Sequence, residues 1–309
     1  MRRIAAILVA ALGGARALFA QETALSARVV SEGLLEAKEL DEVSGLAPSL
    51  RQPGLLWALT DSANPPELYA VGPDGSHRAV FAVVGATNRD WEDIDSFTMD
   101  GQACLLIADT GDNEAEHPES SLHIVKEPAV PPGLAAVRGA VPVWRTLRFA
   151  YEDGPRDCEA AAVDPAGDTV YLLSKRDHPP VLYSLPLAPT GLETVLTARR
   201  VADVPHIPPP TAEDLAEDRK NGRFRSQVTA MDFAPDGSAA AVLTYKNAYL
   251  FRRPPGEDWA TAFQRDPEPI LLPRLRQAES LCYSPDGSVL YVTSEQRPNP
   301  LLRVELPKP

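Results

Sequence analysis

One seven-residue segment recurs five times along this chain, and no other feature constrains the fold as strongly. Its copies are Glu42-Val-Ser-Gly-Leu-Ala-Pro48, Glu92-Asp-Ile-Asp-Ser-Phe-Thr98, Glu159-Ala-Ala-Ala-Val-Asp-Pro165, Thr229-Ala-Met-Asp-Phe-Ala-Pro235 and Glu279-Ser-Leu-Cys-Tyr-Ser-Pro285. Four begin with Glu and four end with Pro, so the pattern marks a position as well as an apolar run. A turn and a second apolar run follow each copy: Leu55–Leu59, Leu105–Ala108, Val170–Ser174, Ala240–Thr244 and Val289–Ser294. Gly in Pro165-Ala-Gly-Asp168, Pro235-Asp-Gly237 and Pro285-Asp-Gly287 supplies the positive φ of a tight hairpin. A third run comes next: Glu67–Val71, Leu122–Val125, Val181–Leu185, Ala248–Arg252 and Leu301–Glu305. A fourth follows in four copies, at Arg78–Val84, Val143–Ala150, Ala198–Val204 and Pro269–Pro273.

Five units of four antiparallel strands, the last lacking its outer strand, predict an all-β, five-bladed β-propeller over residues 28–306. Arg28–Leu35 is a spare strand that can close the ring and remove the open sheet edges. The first strands start 50, 67, 70 and 50 residues apart, which leaves room for insertions at Pro128–Val141 and His206–Gln227. The second insertion holds the one clear helix, Thr211–Lys220, with Thr211 and Asp214 as its capping pair. A pair of β-sandwiches is the competing fold, and it leaves the recurrent Glu unexplained.

Met1-Arg2-Arg3, the apolar run Ile4–Leu12 and the small-residue steps Ala15-Arg16-Ala17 and Leu18-Phe19-Ala20 read as a secretory signal peptide over residues 1–20. Cleavage after Ala17 or Ala20 would leave a secreted or periplasmic protein. No stretch of about 20 apolar residues is present, so no membrane span is expected. Acidic residues outnumber basic ones 43 to 30, a formal charge of −13, which disfavours nucleic acid as a partner. A monomer acting on a small anionic molecule is expected. Cys104, Cys158 and Cys282 lie in apolar runs and read as buried thiols rather than a disulfide framework.

In a propeller the first strands line the central channel in parallel, so Glu42, Glu92, Glu159, Thr229 and Glu279 are predicted to form one ring at one mouth. Carboxylates about 6 Å apart repel by roughly 3 kcal/mol per pair at an effective dielectric near 20. They must spread into water, take up protons or bind a cation. An all-oxygen set without His or Cys suits Ca²⁺; a solvated acidic rim is the alternative. The second strands end at Asp61, Asp109, Lys175, Tyr245 and Glu295, predicted to form an outer polar ring. Lys175, Arg176 and Lys246 are the nearest bases and can hold an anionic group, or simply balance the acidic ring. His178 reads as a surface residue, and Trp91 as blade packing.

At these residues the chain resembles the calcium-activated nucleotidase (apyrase) family of five-bladed propellers. The resemblance implies Ca²⁺ at Glu42, Glu92, Glu159, Thr229 and Glu279, with Asp61 in Leu-Thr-Asp-Ser holding the attacking water. Glu-Val-Ser-Gly-Leu-Ala and Glu-Ala-Ala-Ala-Val-Asp-Pro also resemble secreted bacterial propellers of the esterase-like phytase and SdiA-regulated groups. Three functions stay open. One is a Ca²⁺-dependent hydrolase of a small phosphorylated or ester substrate, with Asp61 or Asp109 as base and Lys175, Arg176, Tyr245, Lys246 and Glu295 around the substrate. Another is a non-catalytic ligand- or protein-binding propeller with a structural central Ca²⁺. The third is a lactonase-like enzyme using the same metal.

Overall fold

The computed structural model describes residues 28–133, 137–190 and 194–306. The signal-peptide segment, residues 1–20, lies outside them. Among the described residues no helix is long and apolar enough to cross a membrane.

Among the described residues, twenty strands form five four-stranded antiparallel meanders. Blade 1 holds β2 (Val43–Pro48), β3 (Leu56–Thr60), β4 (Glu67–Val71) and β5 (His77–Val84). Blade 2 holds β6 (Trp91–Met99), β7 (Gln102–Asp109), β8 (Ser120–Lys126) and β9 (Val137–Tyr151). Blade 3 holds β10 (Cys158–Val163), β11 (Thr169–Ser174), β12 (Val181–Pro186) and β13 (Leu196–Asp203). Blade 4 holds β14 (Val228–Phe233), β15 (Ala239–Thr244), β16 (Ala248–Arg252) and β17 (Glu268–Ile270). Blade 5 holds β18 (Ala278–Tyr283), β19 (Val289–Ser294) and β20 (Pro300–Glu305), and β1 (Arg28–Leu34) pairs with β20 as its outer strand. The inner strands pack β2 on β6, β6 on β10, β10 on β14, β14 on β18 and β18 on β2, so the ring closes. The chain is an all-β, five-bladed propeller.

The inner strands are buried on both faces, so apolar residues fill most of their positions and most of the polar ones among them are buried too. On β10, Ala160 and Ala162 point into the cluster shared with blade 4, while Ala161 and Val163 point into the cluster shared with blade 2. Five such clusters fill the five gaps between consecutive blades. Trp91 is fully buried in the gap between blades 1 and 2. Cys104, Cys158 and Cys282 are free and buried.

Two strands depart from the sequence reading. β9 begins six residues before the expected Val143, and its first part pairs in parallel with β5. It covers the edge that blade 1 would otherwise expose, and its end pairs in parallel with β13, clasping blades 1 to 3 into one sheet. β17 is only three residues long, because Pro269 and Pro273 limit the donors it can offer. The expected helix is the six-residue α1 (Ala212–Glu217), capped by Thr211 and Asp214 as predicted.

A candidate metal centre at one mouth of the channel

A β-bulge opens each inner strand. The register between first and second strands slips by one residue at Ser44, Glu92, Glu159, Thr229 and Glu279. A bulge leaves its extra residue out of the ladder and re-aims it, which turns one residue per blade to the mouth. Glu92, Glu159, Thr229 and Glu279 are therefore equivalent, as the spacing suggests, but the fifth member is Ser44, not Glu42. Glu42 is exposed ahead of β2, with Asn64 Nδ2 donating to its carboxylate at 3.0 Å. A shift of two residues preserves strand alternation, so the apolar pattern of the segment cannot reveal it. One signal could have. Val43, Trp91, Cys158, Val228 and Ala278 precede the ring residues and are all apolar, whereas Asp41 precedes Glu42.

The two hydroxyl members are committed to structure. Ser44 Oγ donates to Trp91 O at 2.7 Å and Thr229 Oγ1 donates to Ala278 O at 2.8 Å, each tying its blade to the next. Glu92, Glu159 and Glu279 remain, at 7%, 5% and 6% exposure. Two residues earlier the same register stacks a second polar layer, Glu42, Asp90, Asp157, Gln227 and Gln277, most of which the sequence reading missed. Glu92, Asp157 and Glu159 each offer one carboxylate oxygen, and these oxygens lie within 4.8 Å of one another. Gly111 makes room beside them: a Cβ there would overlap both Asp90 Oδ2 and Glu92 Oε1.

The returning strands complete the mouth. Backbone pairing continues one step past four of the five ladders, with Asp61 N on Glu42 O, Thr110 N on Asp90 O, Lys175 N on Asp157 O and Glu295 N on Gln277 O. The blade 2 member is thus Thr110, whose Oγ1 donates to Cys158 O at 2.7 Å. Asp109, one residue earlier, sits on the opposite side of the strand. Its Oδ1 accepts from Asp90 N at 2.9 Å and its Oδ2 lies 3.8 Å from His123 Nε2. That binds Asp109 into the frame rather than the mouth. Lys246 is also away from the ring, with its ammonium on both oxygens of Asp214 of α1. Arg176 Nε holds Asp157 Oδ2 at 2.6 Å, and its guanidinium also reaches Asn113. His178 is exposed. A second histidine near this end, His117, places Nδ1 at 2.9 Å from Asp112 Oδ1.

The charge at the mouth is unbalanced. Burial, then Asp90, pushes Glu92 well above the usual carboxylate range. Burial, with Asp90 and Glu42 nearby, raises Asp61 to about 6. Burial raises Glu279 to about 7 against the pull of Lys175 and the Tyr245 hydroxyl, and burial with Glu279 and Asp61 raises Glu295 to about 8. Lys175 is buried within this group, with Nζ on Glu159 Oε1 and 5.2 Å from the centre of the Tyr245 ring. Glu159 Oε2 is buried and, among the described residues, has no hydrogen-bond partner. Clustered carboxylate oxygens, one of them orphaned, with no sulfur or imidazole in the cluster among the described residues, fit a hard divalent cation.

Above the ring opens a cavity of about 650 Å³. Lys175, Arg176 and Tyr245 border it, joined by Arg225 from the 206–227 insertion and by Arg274 and Arg276 from the link between β17 and β18. Among the described residues Arg225 and Arg276 form no ion pair; Arg225 donates to Tyr245 O at 3.4 Å. These three arginines lie in loops without repeat register, so the blade pattern cannot place them.

No protein-family model matches the chain, and no curated protein matches it. Among solved structures it is similar to a gluconolactonase from Xanthomonas campestris, with 14% identity, a TM-score of 0.44, and coverage of 86% of this chain and 72% of that one.

Proposed function

We propose that this protein is a secreted, calcium-binding propeller that hydrolyses a small anionic ester, phosphoryl or carboxylic, at the channel mouth. One observation carries the reading: Glu92, Asp157 and Glu159 converge within 4.8 Å, buried, beneath a cavity bordered by four arginines and a lysine. Glu92, Asp157, Glu159 and Glu279 would hold the ion, and calcium would supply a Lewis-acidic centre for the scissile oxygen. Asp61, half-buried at the rim, would take a proton from the attacking water. Arg225 and Arg276, without an ion pair among the described residues, would hold the anionic group and orient it.

Calorimetric titration with calcium, run on the native protein and on Glu159→Gln, tests the metal. The native protein is expected to bind calcium, and the variant at least tenfold more weakly. No heat in the native protein overturns the reading. Turnover of phosphate monoesters, carboxylic esters and lactones, with and without chelator, tests the chemistry. Asp61→Asn is expected to abolish chelator-sensitive turnover without lowering the melting temperature. Calcium binding with no turnover of any class would instead assign a non-catalytic binding propeller.

A further inference from the structure

We propose that Lys175 is a tethered counter-ion of the carboxylate ring, and that a divalent cation displaces it into the arginine-lined cavity. The inference rests on the reading of the ring as a cation site and names how that site is controlled.

Lys175 follows β11, and its backbone N–H on Asp157 O at 3.1 Å fixes where the side chain starts. The side chain is 7% exposed, and Nζ meets Glu159 Oε1. An ammonium carries three donors, yet among the described residues this contact is its one hydrogen bond. Glu159 Oε2 is equally incomplete, buried without a partner. A pair so short of hydrogen bonds is poorly built as a permanent ion pair, since buried pairs repay desolvation only when their remaining donors and acceptors are satisfied. It suits an exchangeable one.

Exchange follows from the shared ligand. The oxygens that lie within 4.8 Å of one another belong to Glu92, Asp157 and Glu159, so a divalent ion there uses the carboxylate that Lys175 holds. Two cations on one carboxylate repel, and the divalent one, with more ligands, wins. The ammonium has somewhere to go, because Lys175 borders the 650 Å³ cavity and its stem is flexible. Tyr245 borders the same cavity, and its ring face lies 5.2 Å from Nζ, offering a cation–π resting place on the way out. Metal binding then adds a positive charge to a cavity already carrying Arg176, Arg225, Arg274 and Arg276. Cation and anion binding become positively coupled, each strengthening the other by the same factor.

The test uses calcium chloride as probe on the full protein and on Lys175→Met and Lys175→Arg, with melting curves verifying that each is folded. Lys175→Met is expected to bind calcium about tenfold or more tightly than the native protein, and Lys175→Arg no more tightly. A second readout needs no variant: amine acetylation followed by mass spectrometry should find Lys175 protected without calcium and modified with it. Native calcium binding with equal or weaker binding by Lys175→Met, or Lys175 labelling unmoved by calcium, overturns the exchange and leaves the metal site standing. No calcium binding by either protein removes both. Binding by Lys175→Met alone overturns the exchange, because the native protein then keeps its internal cation and the ion never displaces it. Should Lys175→Met fail to fold, the labelling decides.

Discussion

Glu92 and Asp93 are neighbours on β6, both buried, and their carboxylates meet different surroundings. Asp93 accepts from Ile94 N and from Ala161 N on the next blade, each at 2.9 Å. Asp95 does the same with Ser96 N at 2.6 Å and Val163 N at 2.7 Å, and Asp232 with Phe233 N and Tyr283 N, both at 2.7 Å. Neighbouring inner strands share no ladder, so an N–H facing the next blade needs another acceptor. These aspartates supply it, and they staple blade 2 to blade 3 and blade 4 to blade 5. The bulge glutamates meet side chains instead: Lys175 at Glu159, Tyr245 and Gln277 at Glu279. A carboxylate held by two amides of the frame cannot change partner without disturbing that frame, whereas one met by side chains can. Burial raises members of both sets, Glu92 and Glu279 as well as Asp93 and Asp232, so elevated acidity constants do not separate scaffold from site. Hydrogen-bond partners do.

The sharpest way to break this contrast is to remove one carboxylate from each set. Asp95→Ala strands two buried N–H groups and is expected to cost about 3 kcal/mol in urea unfolding. Glu92→Gln, without metal, relieves repulsion and is expected to be neutral or stabilising by up to about 1 kcal/mol. Equal losses for the two would mean that the glutamates are scaffold as well.

A pH scan sharpens it next. Asp61, Glu279 and Glu295 stand at about 6, 7 and 8 in the folded protein, above their unfolded values. The native state then holds more protons than the unfolded chain, so stability is greatest near about pH 4 and falls as pH rises towards 8. The expected loss is about 2 kcal/mol over that window after allowance for solvent screening at the rim. Saturating calcium should flatten the slope, because it stabilises the ionised forms. Stability that rises through this window without metal would show the charges already balanced.

The fold was open to sequence reading because five copies of one pattern average out local ambiguity, and because closure by Arg28–Leu35 left no strand over. The inner ring was open only in part. Glu92, Glu159, Thr229 and Glu279 follow from spacing, but placing Ser44 requires the register of the second strand, which the pattern Glu42–Pro48 misstates by two residues. Asp109 misleads for the related reason that β7 runs one residue past the length its partners suggest. Asp90, Asp157 and Gln277 sit one position before their strands, where polar residues read as turn chemistry. Arg225, Arg274 and Arg276 come from loops, whose positions depend on tertiary packing alone. The hydroxyl latches were equally hidden. Ser44→Ala and Thr229→Ala should each cost about 1 kcal/mol while leaving calcium affinity unchanged; a loss of affinity on Thr229→Ala would return its hydroxyl to the ligand set.

The smallest expected effect separates the two candidates for the fifth ring position. Glu42 is exposed, and Asn64 Nδ2 meets its carboxylate at 3.0 Å. Glu42→Gln keeps an oxygen acceptor for that amide and should change stability by less than about 0.5 kcal/mol. Its charge raises Asp61 and Glu295, so the variant should lower those two slightly and move calcium affinity by less than about threefold. Glu92→Gln, on the bulge itself, should weaken calcium at least tenfold. The ratio between these two calorimetric shifts measures register directly. Equal losses would mean that blade 1 presents Glu42 to the ion after all, either from the layer it shares with Asp157 or with β2 paired to β3 two residues out of the register that places Val43 opposite Thr60.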